Sequence, residues 1–240
     1  MNNRRTLIAA AVAGVLIVGA AGVGIVYVAV FAGSSPQRLA LSSPTPSPSG
    51  STTSTAATPG AGTWTVDSGS IAGYRVREQL ASFAAPSDAV GRTSAVTGTF
   101  TLTQSTSGYG VTAASFSVDV TKLTSDQSRR DQRIHSQGLE SDRYPTATFT
   151  LTSPITLPAD AAGGQTIHVS AIGDLTIHGV TKNVTIPIDA RMTGSKIELV
   201  GSITFPFSQF GMTPPSIGGF VTVQSNATME FQLMLSRQGA

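Results

Sequence analysis

The chain has 240 residues, of which only 12% are charged, with a formal net charge of +2 and no cysteine. The missing thiols exclude disulfides, thiolate metal sites, a cysteine nucleophile and a lipidated N-terminal cysteine. The basic excess lies upstream, since every Asp and Glu follows Val66; setting aside Arg4, Arg5 and Arg38 leaves 12 basic against 13 acidic residues, without the basic patch that nucleic-acid binding requires.

Residues 1–6 read as a short cytoplasmic tail. From Leu7 to Ala32 the chain carries no charge, directly after Arg4 and Arg5. A bilayer core needs about 20 apolar residues of helix, whereas a cleaved signal has an apolar core of only about 7–15. The segment 7–32 is therefore expected to be a transmembrane signal anchor. The flanking arginines place the N-terminus in the cytoplasm, so the expected location is the cell membrane, single-pass, with an extracytoplasmic C-terminal domain. Residues 33–62 are almost wholly Ser, Thr, Pro, Gly and Ala, a composition that cannot bury enough apolar surface to offset its ordering entropy. They are expected to be a disordered linker, extended by proline to about 3.1 Å per residue.

Residues 63–240 form the outer domain. Its apolar residues recur at period two, the signature of half-buried strands. Trp64 and Val66 open the series; Phe100 and Leu102 follow, then Phe116, Val118 and Val120 after a turn at Ser107-Gly108. Thr146–Thr152 sets Phe149 and Leu151 on one face. Ile167, Val169, Ala171, Gly173, Leu175 and Ile177 share a side opposite His168, Ser170, Asp174 and Thr176. Val184, Ile186 and Ile188 alternate after Gly179; Ile197, Leu199, Gly201, Ile203, Phe205 and Phe207 continue, and Met229, Phe231, Leu233 and Leu235 close the series. Eight or nine strands of this kind form either an antiparallel barrel or a sandwich.

Ser128–Phe149 is the densest run of charge, and it contains one candidate helix, about Ser125–Leu139, with Ser125 or Asp126 as its cap and a thin apolar face of Leu123, Ile134 and Leu139. Asp131 and His135 stand four residues apart and would be neighbours on that helix.

The words Arg130-Asp131 and Tyr144-Pro145-x-x-x-Phe149 resemble the signature of the YceI-like family. Trp64-x-Val66-Asp67, Val96-x-Gly98-x-Phe100, Gly173-Asp174-Leu175-Thr176-Ile177-His178-Gly179-Val180-Thr181-Lys182, Phe210-Gly211-Met212 and Val221-x-Val223 extend the resemblance, in order, over most of residues 63–240. Two positions depart from it: Arg133 and Leu139-Glu140 stand where members commonly carry a histidine and an aromatic pair. The resemblance implies a lipocalin-like barrel of about eight antiparallel strands, with one helix in a long connection, holding a polyisoprenoid or isoprenoid-quinone chain in its apolar interior.

On the residues themselves, the interior candidates are Phe100, Phe116, Phe149, Phe205, Phe231, Leu175, Ile177 and Ile186. Small residues at Ala171, Gly173 and Gly201 are expected to leave room between them. Arg130 and Asp131 have two readings: a guanidinium at the barrel mouth that meets a phosphate or quinone oxygen, or a structural pin between helix and strands. His168 and His178 fall on the polar face and are expected at the solvated surface. No metal-ligand spacing and no nucleophile elbow occurs, so no cofactor, metal or catalytic residue is expected. A ligand-free envelope module is the alternative. An isoprenoid-modifying enzyme using Asp131, His135 and Arg130 is a lesser one.

Overall fold

The computed structural model describes residues 35–43, 60–80, 86–106, 108–193, 195–215 and 221–238. Eleven strands follow in order: β1 (Gly62–Val66), β2 (Ile71–Leu80), β3 (Ser87–Thr93), β4 (Val96–Ser105), β5 (Gly108–Asp119), β6 (Thr146–Leu151), β7 (Ile155–Thr156), β8 (Ile167–Ile177), β9 (Val180–Thr193), β10 (Lys196–Pro206) and β11 (Val221–Arg237). All pair antiparallel within one sheet, and β11 meets both β10 and β1, which closes the sheet on itself. Closure removes the unpaired edges that a long open sheet exposes, and the sandwich is thereby excluded.

The eleven segments make eight barrel staves. β1 and β2 are halves of one bent stave, which pairs with another made of β3 and β4: Trp64 stands opposite Phe100 and Ala72 opposite Thr93. The bend is pinned by Ser70, whose hydroxyl donates to Asp67 O at 2.8 Å and accepts from Met234 N at 2.9 Å. β2 and β3 escape the period-two reading because buried charge sits on their outer face. There Arg75 bridges Asp88 at 3.1 Å and Glu230 at 3.4 Å, and Arg92 meets Glu230 at 2.8 Å. Buried charges need partners of this kind.

β8 keeps the alternation: Ile167, Ala171, Gly173, Leu175 and Ile177 are buried, while His168 and Ser170 are exposed. β8 turns into β9 through His178 and Gly179, at φ 54° and 72°, the pair of left-handed residues that a tight hairpin turn demands. Two expected strand positions lie instead in short 3-10 turns: Val120 opens Val120–Lys122 and Phe207 opens Phe207–Phe210, both buried.

Three glycines admit phenylalanine rings. A Cβ on Gly98 would lie 2.5 Å from the Phe116 ring, one on Gly173 2.4 Å from Phe149, and one on Gly201 2.4 Å from Phe231. The expectation that Gly173 and Gly201 leave free space is thus corrected, because aromatic rings from the neighbouring strands occupy it.

The helix of the long connection is shorter than expected. α1 (Ser128–Arg133) runs into a wider π-helical turn, Ile134–Gly138. Its cap is Gln127, with no side-chain capping bond, rather than Ser125 or Asp126. Ser125 instead donates its N–H and hydroxyl to Asp131, at 2.9 and 2.6 Å.

No helix among the described residues is long and apolar enough to cross a membrane; the expected span 7–32 lies outside them. Within the expected linker, residues 37–43 lie along the outer wall of the barrel. Arg92 donates to Gln37 O, and Arg191 to Ser42 O. Ser42 donates both its N–H and its hydroxyl to Glu198 Oε1, each at 2.9 Å. Glu198 is only 5% exposed. Burial alone would raise its pKa, but the donors Ser42, Gln232 and Arg191 outweigh it and hold the carboxyl below its ordinary value.

Gly201→Ala loses about 1–3 kcal/mol in urea unfolding, the usual cost of overpacking a filled site. A lowered carboxyl pKa adds stability that is present above the unfolded value and is lost as pH falls through the folded one. The stability gap between the wild type and Glu198→Gln therefore narrows as pH drops from about 5 to about 3, as read by denaturation at each pH.

Candidate functional site

The inward side chains leave two cavities on the barrel axis, one of about 190 Å³ beneath α1 and one of about 100 Å³ toward the opposite end. Phe116, Phe149, Ala171, Ile188 and Leu199 line both, and so form a waist between two chambers. Their walls are overwhelmingly hydrocarbon, so what they favour is apolar matter, at about 0.8 kcal/mol for each CH₂ group taken from water.

The expected interior residues divide between the chambers. Leu175, Ile177, Ile186, Phe205 and Phe231 line the larger one, Phe100 the smaller, and Phe116 and Phe149 the waist. Phe205 also packs edge-on against Phe210, with ring centroids 4.7 Å apart, and Phe100 stacks on Trp64 at 6.2 Å. Of the three small residues, Ala171 alone fronts open space.

The large chamber is roofed by the helical connection. Arg130, Arg133, Ile134, Gly138 and Leu139 all face it. The wide turn after Arg133 sets Gly138 and Leu139 on the same side as Ile134. Arg130 reaches down to Glu78 on β2, 2.6 Å away, and also pairs with Asp126. Burial works against its charge, but the two carboxylates outweigh that effect and hold the guanidinium above its ordinary value. Asp131 lines neither chamber, because its carboxylate is taken up by Ser125. Arg130 therefore serves as a pin between roof and wall, and the expected Arg130–Asp131 unit is split between two different sets of partners.

Tyr74 and Glu78, both from the stave whose pattern the outer charges obscured, complete the polar lining with Thr148 and Thr228. Burial pushes the Tyr74 phenol up, against Arg130 and with Asp131 and Glu78; it stays neutral. The alternation of Tyr74, Val76 and Glu78 was the signal for this wall.

The histidines lie apart from the chambers. His168 is exposed and meets Asp189 at 2.6 Å. His178 departs from expectation: its side chain is 11% exposed, its Nδ1 donates to Phe210 O at 3.3 Å, its Nε2 lies 3.3 Å from Glu140, and its ring packs on Tyr144. The left-handed turn swings it off the strand's polar face and against the end of the long connection. His135 bonds Ser141 at 2.6 Å, so it and Asp131 turn to different partners. Among the described residues no three His, Cys, Asp or Glu side chains converge as metal ligands would.

A closed up-and-down antiparallel barrel with a helical roof and a divided apolar interior defines the class: an all-β, eight-stave closed barrel. Within that class the chain belongs to the YceI-like family, whose domain profile matches residues 64–235. It is 28% identical over 123 residues to the protein YceI of Shigella flexneri, covering 51% of this chain and 59% of that one. A UPF0312 protein of Vibrio campbellii is 37% identical over 79 residues, 32% of this chain and 37% of its own. The chain thus spans about two-fifths to three-fifths of the length of these relatives. Among solved structures, a polyisoprenoid binding domain from Saccharophagus degradans superposes with a TM-score of 0.52 at 15% identity, covering 72% of this chain and 98% of that one; the likeness is one of fold.

Removing the pin has a defined outcome. Glu78→Gln leaves Arg130 with Asp126 as its one carboxylate partner beside a half-buried site, and costs about 1–3 kcal/mol. Hydrogen exchange reports it as faster exchange across Ser128–Gly138 than across β8 and β9.

Proposed function

We propose that this barrel binds a lipid of the polyisoprenoid class, an isoprenoid-quinone chain included, and holds or carries it without chemical turnover. The observation that carries the reading is the pair of apolar chambers joined at a waist of Phe116, Phe149, Ala171, Ile188 and Leu199. Their axial arrangement suits a long, thin hydrocarbon rather than a compact ligand. Affinity then grows with the length of chain removed from water, and no reactive group is needed. A polyisoprenoid binding domain of Saccharophagus degradans shares this fold, which supports the same ligand class. In this reading the segment 7–32 anchors the protein in the membrane and the barrel works outside the cytoplasm.

A filled, ligand-free barrel is the competing reading. The open space in both chambers argues against it, because interiors that bind nothing close to crystal-like density.

Organic extraction of the purified full chain followed by mass spectrometry is expected to release an isoprenoid lipid. A chain that releases none, and also binds no added isoprenoid quinone, overturns the reading. Ala171→Phe places a ring in the waist and is expected to weaken quinone binding at least about tenfold, the equivalent of losing about two buried CH₂ groups. Unchanged affinity in a folded variant shows that the ligand does not pass the waist.

A further inference from the structure

We infer that Arg133 is the head-group residue of the large chamber, and that it selects a lipid ending in a phosphate over a neutral isoprenoid. The inference deepens the lipid-binding reading and rests on it. The large chamber is apolar except at its roof and upper wall, where its polar side chains are Tyr74, Glu78, Arg130, Arg133, Thr148 and Thr228. Most of these are already engaged. Glu78 and Arg130 neutralise each other at 2.6 Å, and Arg130 holds Asp126 besides. Thr228 shares a hydrogen bond with Thr204 at 2.8 Å. Tyr74 is held neutral by burial.

Arg133 differs from all of them. Among the described residues its side chain has no carboxylate at ion-pairing distance; its Nη1 donates to the neutral amide of Gln137, 3.0 Å away. It stands where α1 passes into the wide π-helical turn, the kind of helical irregularity that occurs often at functional sites. It is exposed to solvent, yet it also lines the chamber. A guanidinium so placed has spare donors in a planar fork that matches phosphate oxygens. It demands no burial of the charged head, because the apolar tail fills the chamber while the head remains at the rim. Arg130, the stronger candidate by sequence, lacks this freedom, since an anion there would have to displace two carboxylates.

The test compares farnesyl phosphate, farnesol and inorganic phosphate, titrated calorimetrically into the full chain in detergent, for the wild type, Arg133→Gln and Arg133→Lys. The wild type is expected to bind farnesyl phosphate about tenfold more tightly than farnesol, as one charge-assisted interaction provides. Arg133→Gln is expected to erase that preference, and Arg133→Lys to keep part of it. Equal affinities in the wild type, or a preference that survives Arg133→Gln, overturn the assignment. If inorganic phosphate competes as well as farnesyl phosphate does, Arg133 marks a free-anion site and the lipid head-group assignment falls. If neither farnesol nor farnesyl phosphate binds the wild type, the lipid reading itself falls.

Discussion

The whole architecture depends on the two edges of β11. One edge pairs with β10 from Lys196 to Pro206; the other pairs with β2 and then with β1, to Trp64 opposite Arg237. A register slip by one residue there would turn every side chain of the strand to the other face. Met229, Phe231, Leu233 and Leu235 would then meet solvent, and Glu230 would enter the core. The fixed register is what makes an interior possible. It also places Glu230 where Arg75 and Arg92 converge on it, so the seam of the barrel is held by backbone pairing inside a shell of matched charge.

Within that cylinder, space is governed by a few residues of unusual size. Gly98, Gly173 and Gly201 let Phe116, Phe149 and Phe231 lie flat across neighbouring strands, and the first two of these rings constrict the bore. The division into two chambers is therefore produced by large and small residues set side by side on adjacent strands. At one end the chamber is covered by a short helical roof, whose charges are largely spent on holding it down. Hydrocarbon lies below and water above, with only a few polar groups at the boundary between them.

Much of the barrel was legible in the sequence, because most staves carry clean alternation and the family words occur in order. The β2 half of the first stave was not. Arg75 and Arg77 on its outer face and Glu78 on its inner one hide the apolar side that Ala72, Tyr74 and Val76 make; the pattern is intelligible only once Asp88 and Glu230 are seen to neutralise the arginines. The aromatics expected inside line the two chambers, because parity along a strand is a local property. What the glycines do is not local: whether Gly201 leaves a void or receives a ring depends on Phe231, 30 residues away in the chain and directly opposite it in the sheet. The same holds for the mouth. Arg129-Arg130-Asp131 and Arg133 look alike in a charged run, and only the positions of Glu78, Asp126 and Ser125 decide which of them are occupied.

Ser42 has its N–H, hydroxyl and carbonyl all engaged by Glu198 and Arg191, and the chain returns to the barrel at Gly60, hard against the Arg237 side chain. Both points lie on the same body, so the chain that leaves the barrel wall after Ser42 and rejoins it at Gly60 closes a loop. Doubling the length of a loop costs only about 0.6 kcal/mol in closure entropy, so insertions between the two points are nearly silent for the barrel, whereas the residues that bond to its wall are not free to change.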